Sequence, residues 1–216
     1  MMSENTMIAG MESLKQPSVR TLPSTLNYLY LLAMMTVIAA ILTAAMVMQY
    51  ARGELPCPLC LLQRVALFGV CFGIMQQFRN GFSVRNTGFS LLFTVFLLVV
   101  SVRQTLLDIY PRPGHEYIGS AVFGLHMPVW SVLIALALLI AFTFELIFWS
   151  GKNHMHEARL TGLPVIRGLA TALSLYVILI GLVNFGSVVL QCGVGECHTF
   201  GYSLLESLEG APATSN

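Results

Sequence analysis

The feature that most constrains this chain is a series of long apolar runs. Residues 26–49 contain no charged side chain, and a membrane-spanning helix needs about 20 mostly apolar residues. Residues 129–149 and 169–190 form further full-length runs, and residues 61–75 and 87–102 form shorter ones with tolerant flanks. The sequence therefore predicts an all-α membrane protein with five transmembrane helices in one membrane domain.

The composition excludes an ordinary soluble domain. Hydrophobic residues make up 56% of the chain and charged residues only 10%, whereas soluble domains carry about 25% charged residues. So few charges cannot cover a globular surface in water, and membrane lipid is the expected solvent. The net charge of +1 and the lack of a Lys/Arg run in the sequence give no reason to expect a nucleic-acid partner.

Three segments follow from the positions of the apolar runs. Residues 1–25 are polar and form a predicted N-terminal tail, residues 26–190 form the transmembrane domain, and residues 191–216 form a C-terminal tail. The first run is too long for the apolar core of a cleaved signal peptide, which has about 7–15 residues. It is therefore interpreted as a permanent first helix.

The distribution of Lys and Arg predicts the orientation. With the N-terminus in the cytoplasm, seven of these residues fall on the inner side and four on the outer side, in the direction of the positive-inside rule. Cys57, Cys60, Cys192 and Cys197 then all lie on the outer face, and thiol pairs that cycle through disulfides suit an oxidising compartment. Cys71 stays within a helix and is interpreted as a small buried apolar residue.

A Cys-Pro-Leu-Cys motif at 57–60 stands directly before the second apolar run. Prolines on both sides of Cys57 disfavour helix before it, so the second helix is predicted to begin near Cys60. A thiol at a helix N-terminus feels the positive end of the helix dipole, which favours the thiolate. Arg64 follows on the same helical face, where it can add a positive charge or donate a hydrogen bond to the carbonyl of a ligand.

The motif alone leaves other interpretations open. Two cysteines at this spacing can form a static disulfide, or half of a zinc site for which Cys192, Cys197 and His198 would supply further ligands. The Arg64 guanidinium near the pair disfavours a bound cation, so no metal site is predicted.

Three motifs in consistent order resemble the bacterial DsbB family of disulfide bond formation proteins. The first is Cys-Pro-Leu-Cys-Leu-Leu-Gln-Arg at 57–64, directly after the first membrane helix. The second is Leu-Asp-Ile-Tyr-Pro-Arg-Pro at 107–113, and the third is Phe-Gly-Leu-His-Met-Pro-Val-Trp at 123–130. The resemblance covers about residues 26–149.

The resemblance implies a DsbB-like four-helix bundle in the bacterial inner membrane, here extended by a fifth transmembrane helix. It also implies an enzyme that oxidises a periplasmic DsbA-like thioredoxin-fold partner and passes the electrons to ubiquinone or menaquinone. Cys57 and Cys60 match the family's membrane-proximal redox pair, with Cys60 in contact with the quinone and Arg64 helping to bind it. Gln104 occupies the position of a histidine that helps to position the quinone in the family.

The chain departs from the family pattern at its second cysteine pair. A typical member carries that pair in the loop between helices three and four, but residues 104–128 contain no cysteine. Instead, Cys192 and Cys197 follow the fifth helix. Our hypothesis is that they replace the missing pair and relay electrons from the partner to Cys57 and Cys60, with His198 stabilising a Cys197 thiolate. A fixed disulfide that staples the end of the helix is the alternative.

Other functions remain compatible with the sequence. An outward-facing disulfide reductase would use the same cysteines, because relative potentials decide the direction of electron flow. A non-enzymatic assembly factor or metal-binding membrane protein would need no quinone. A transporter needs polar or broken segments near the midplane, of which Asn184 is the main sign. Glu145, near the inner end of the fourth run, is expected to reach the lipid headgroups.

Overall fold

The computed structural model describes residues 21–52, 56–109, 124–149 and 164–192. Each of the helices in these ranges contains a stretch long and apolar enough to cross a membrane. The predicted all-α architecture with five membrane-spanning helices is therefore confirmed. The helices are α1 (Thr21–Arg52), α2 (Pro58–Asn80), α3 (Val84–Ile109), α4 (Met127–Trp149) and α5 (Pro164–Cys192).

The helices pack in chain order, and the fifth closes onto the first two. Helix α2 packs along α3, α3 along α4, and α5 against both α1 and α2. On α1, Leu31, Met35, Ile38 and Leu42 recur at helical spacing and are buried in the core. Large apolar side chains such as Phe185 also cover the outer faces, as expected for helices surrounded by lipid.

Small residues bring α2 and α3 into close contact. Gly69 lies against the ring of Phe93, and Gly73 lies against the side chain of Ser90, with no room for a Cβ at either glycine. The Ser90 hydroxyl donates a hydrogen bond of 3.3 Å to the Val70 carbonyl across the same interface. Close approach at small residues is a common way for membrane helices to associate. It holds the helix that carries Cys60 against α3.

A glycine ends α2 and permits the tight turn into α3. Gly81 has φ 82° and ψ 177°, in a region that strongly favours glycine. Its N–H donates to the Gln77 carbonyl at 2.9 Å, which satisfies one of the carbonyl groups left over at the helix end. The chain then reverses within a few residues and sets α3 antiparallel to α2.

Glu145 does not reach the lipid headgroups, so this prediction is wrong. Its side chain is 0% exposed and lies inside the bundle, beside Gln77 of α2. On α4, Ala135, Leu138 and Phe142 are also buried, and Glu145 continues this inward-facing stripe at helical spacing. The rotation of α4 about its axis decides the environment of Glu145, and mean hydropathy does not report that rotation.

Candidate active site

Cys57 is the N-cap of α2. Its backbone is extended, with φ −68° and ψ 161°, and its Sγ accepts a hydrogen bond of 3.2 Å from the backbone N–H of Cys60. The helix therefore begins at Pro58, two residues earlier than predicted. Proline is well suited to the first helical position, because the N–H that it lacks would have no partner there. The motif thus places its two sulfurs one turn apart at the start of a spanning helix.

Cys57 is the more buried thiol of the pair. It is 5% exposed, whereas Cys60 is partly exposed. A hydrogen bond with the Cys60 side chain, together with burial, raises the pKa of the Cys57 thiol far above its usual value. This environment disfavours the thiolate form of Cys57. The Cys60 sulfur lies in the first turn of α2, where free backbone N–H groups stabilise negative charge.

Gln104 of α3 contacts both sulfurs. Its Nε2 lies 3.5 Å from Cys57 Sγ and 3.4 Å from Cys60 Sγ. Its Oε1 accepts a hydrogen bond of 2.8 Å from Gln63 Nε2, and Gln63 Oε1 accepts one of 3.1 Å from the Ser131 hydroxyl. This chain of donors orients the Gln104 amide so that its N–H groups face the sulfurs. A residue singled out as a quinone ligand therefore also supports the dithiol.

Arg64 is buried in the bundle and is 8% exposed. Its Nη1 donates to Gln49 Oε1 of α1 at 2.7 Å and to Asn184 Oδ1 of α5 at 2.9 Å. The Met46 sulfur lies 3.4 Å from Nη1, and the Ala45 carbonyl accepts from Nη2 at 3.2 Å. These partners are all neutral. The guanidinium thus joins α1, α2 and α5.

The C-terminal end of α5 lies against the segment that precedes Cys57. Gln191 is buried, and its Nε2 donates a hydrogen bond of 3.0 Å to the Pro56 carbonyl. One turn earlier, the hydroxyl of Ser187 is hydrogen-bonded to the hydroxyl of Tyr50 near the end of α1. These contacts tie the fifth helix to the dithiol segment.

Part of the predicted site lies outside the described residues. The backbone of Cys192 ends α5, but its side chain, together with Cys197 and His198, lies beyond what the structure describes. Of the predicted site residues, the structure brings together Cys57, Cys60 and Gln104, with Arg64 one turn further along α2.

Four polar residues of the site were not predicted from the sequence to belong to it. A signal was present, because an uncharged polar side chain inside an apolar span is costly unless it finds a partner within the protein. Asn184 was noted only as a sign of a transporter, and it instead accepts from Arg64. The four residues are Gln49, Gln63, Asn184 and Gln191.

A groove of about 660 Å³ opens next to the site, between α2 and α5. It begins at Pro58 and Leu61, in the same turns of α2 as Cys60, and extends to Met75. Its lining is almost wholly apolar, and among the described lining residues Asn184 is the one with a polar side chain.

The fold and the site together define a multi-pass helical membrane protein with a Cys-x-x-Cys dithiol at the start of a spanning helix. The family model described as Disulfide bond formation protein DsbB matches residues 27–117. This segment contains Cys57, Cys60, Arg64 and Gln104. The resemblance drawn from the motifs is confirmed over this segment, which is similar to the DsbB family.

The match covers less than half of the chain and stops before α4. Searches of curated proteins and of solved structures gave no match. The family that this segment resembles is one of disulfide bond formation proteins. The similarity does not extend to the fifth helix, which contributes Asn184 and Gln191 to the site.

Proposed function

We propose that this protein reoxidises a periplasmic DsbA-like thioredoxin-fold partner and passes the electrons to a quinone in the bacterial inner membrane. The observation that carries the proposal is the dithiol at the membrane boundary. Cys57 and Cys60 share the amide donor of Gln104, and the buried charge of Arg64 lies one turn away. This arrangement favours negative charge on Cys60 at the edge of an apolar environment.

The proposed reaction balances in two steps. The partner's dithiol reduces the Cys57–Cys60 disulfide by thiol–disulfide exchange, either directly or through a second cysteine pair of this chain, and leaves as a disulfide. The Cys57–Cys60 dithiol would then give up two electrons and two protons as its S–S bond re-forms, and a quinone held near Gln104 and Arg64 would take up both and be released as the quinol. Gln104 donates to both sulfurs.

The residues near Arg64 fit a quinone carbonyl, which is a neutral hydrogen-bond acceptor. The Nε2 of Gln49 is buried and has no hydrogen-bond partner among the described residues. Its Oε1 is held by Arg64 at 2.7 Å, which leaves the amide donor of the same side chain for another acceptor. A buried donor without a partner costs about 1–3 kcal/mol, and a bound carbonyl would remove that cost.

The direct test uses the purified full-length protein in lipid nanodiscs with a reduced thioredoxin-fold protein and a quinone. We expect one quinol to form for each partner disulfide, because both conversions involve two electrons. An outward-facing reductase would instead reduce the oxidised partner when supplied with quinol. If the wild-type protein shows no thiol-dependent quinone reduction, the proposed function is wrong.

We also propose that Cys192 and Cys197 relay electrons from the partner to the dithiol. Support comes from Gln191, the residue before Cys192, whose amide donates to the Pro56 carbonyl next to Cys57. The end of α5 and the start of α2 are therefore neighbours. A second cysteine pair near this point would replace the loop pair that residues 104–128 lack.

Replacing both Cys192 and Cys197 by alanine is expected to slow oxidation of the protein partner by roughly tenfold or more, a loss of at least about 1.4 kcal/mol in transition-state stabilisation. Oxidation of a small dithiol such as dithiothreitol should be unchanged, because it can reach Cys57–Cys60 without the relay. Stopped-flow measurement of quinone absorbance gives both rates. An unchanged rate with the protein partner would support the staple interpretation.

A further inference from the structure

The groove between α2 and α5 is long enough to be compared with an extended hydrocarbon chain. From Leu61 to Met75 it follows α2 for about 20 Å at 1.5 Å per residue. Helix α5 lines the opposite wall from Val188, near the dithiol end, to Val177 deeper in the bundle. The groove therefore begins beside the active site and continues into the apolar part of the membrane.

The polarity of the groove is asymmetric. Asn184 lies toward the dithiol end of α5, and its Oδ1 accepts a hydrogen bond from Arg64. Beyond it the described wall is apolar, with Phe68 and Phe72 on α2. Arg64 is buried and is not one of the residues that line the groove, so the polar end of the groove presents the neutral amide of Asn184 rather than a charged group. The groove thus matches a molecule with a small neutral polar ring and a long apolar tail.

Several hydrogen bonds fix the position of the fifth helix relative to the active site. Asn184 accepts a hydrogen bond from Arg64 of α2, and the Gln191 amide donates one to the Pro56 carbonyl. Further into the membrane, the hydroxyls of Tyr176 and Thr43 are 2.8 Å apart. These contacts fix one wall of the groove relative to Cys60, although α5 lies outside the matched family segment.

Gly181 keeps the middle of the groove open. A Cβ at this position would lie 3.5 Å from Cε1 of Phe68, which is ordinary van der Waals contact. Alanine therefore fits, whereas a longer side chain would occupy the groove. Gly186 lies on the same helix and is not among the lining residues, and a Cβ there would meet open space. The two glycines form a matched pair for substitution.

We propose that this groove binds the polyprenyl tail of the quinone, and that Gly181 of the fifth helix determines how long a tail is accepted. The proposal rests on the proposed function, because it assigns the tail of the same electron acceptor. It adds a binding site that α5 builds together with α2.

The test compares Gly181→Leu with Gly186→Leu in purified full-length protein in detergent micelles. Isothermal titration calorimetry measures the dissociation constant for a quinone with a long prenyl tail and for the same ring without a tail. Gly181→Leu is expected to weaken binding of the tailed quinone about tenfold, which corresponds to losing the burial of roughly two methylene groups. Binding of the tail-less ring should be unchanged, and Gly186→Leu should leave both constants unchanged.

Three other results would overturn the assignment. If Gly181→Leu leaves the tailed quinone bound as tightly as in the wild type, the tail lies elsewhere and the assignment of the groove is wrong. If Gly181→Leu weakens both quinones equally, the substitution acts on the ring site. If the wild-type protein binds neither quinone, the proposed function itself fails.

Gly181→Ala is the control for misfolding, because an alanine side chain fits at this position. It should weaken the binding of the tailed quinone alone, by about twofold.

Discussion

Replacing Cys60 by serine is expected to reduce thiol-dependent quinone reduction by roughly a thousandfold or more, as for the loss of a catalytic nucleophile. A hydroxyl cannot form the S–S bond whose formation releases the two electrons. Serine is close in size, so the N-cap contact of the Cys60 backbone N–H with Cys57 Sγ should remain. The decrease in quinone absorbance with a reduced thioredoxin-fold partner measures the effect.

Cys71 provides the matched control on the same helix. It is buried in α2, about 16 Å deeper than Cys60 at 1.5 Å per residue, and no route of electron transfer in the proposal uses it. Cys71→Ala should therefore keep the wild-type turnover. Retention of normal turnover by Cys60→Ser would show that the electrons leave the protein elsewhere.

Replacing Arg64 by methionine is expected both to destabilise the bundle and to weaken quinone binding. The substitution leaves Gln49 Oε1 and Asn184 Oδ1 buried without their donor. Each such acceptor costs about 1–3 kcal/mol, so a loss of roughly 2–6 kcal/mol of stability is expected and should lower the thermal unfolding midpoint. Loss of the guanidinium next to Gln49 should also raise the KM for quinone by about tenfold or more, since hydrogen bonds from charged groups contribute about 1.5–3 kcal/mol.

Two further variants separate these effects. Arg64→Lys keeps the charge but lacks the planar fork that reaches several acceptors at once, so it should recover only part of the stability. Asn184→Ala removes one acceptor, and a double-mutant cycle with Arg64→Met should give a coupling energy of about 0.5–3 kcal/mol for residues in direct contact. A coupling energy near zero would show that the Arg64–Asn184 contact does not stabilise the bundle, and an unchanged KM in Arg64→Met would remove Arg64 from the proposed quinone site.

Local sequence was sufficient for the membrane architecture. The apolar runs predicted five spanning helices, because the length of a run alone decides whether a helix can cross the bilayer. The motifs at 57–64, 107–113 and 123–130 together indicated the family, since each is a run of consecutive residues and the three stand in a consistent order. The burial of Cys71 also followed from its place in the middle of a run.

The start of α2 shows where local reasoning was nearly sufficient. The prolines on both sides of Cys57 predict that the helix begins near Cys60. In the structure, Pro58 occupies the first position of α2. The position of Cys57 as the N-cap, with its sulfur accepting from Cys60, depends on backbone angles that the residue types permit but do not require. The small error reflects the two roles of proline, which stops a helix from extending backward and also starts one.

The sequence by itself determined the spanning helices and the dithiol at the start of the second one, because hydropathy and short motifs act over neighbouring residues. Only the tertiary structure decided that Gln104 faces both sulfurs, that Arg64 joins Gln49 to Asn184, and that Glu145 points inward. When a helix is apolar on all sides, its sequence does not show which face is turned toward the protein interior. Packing against helices far away in the chain supplies that rotation, and it decides which polar side chains meet.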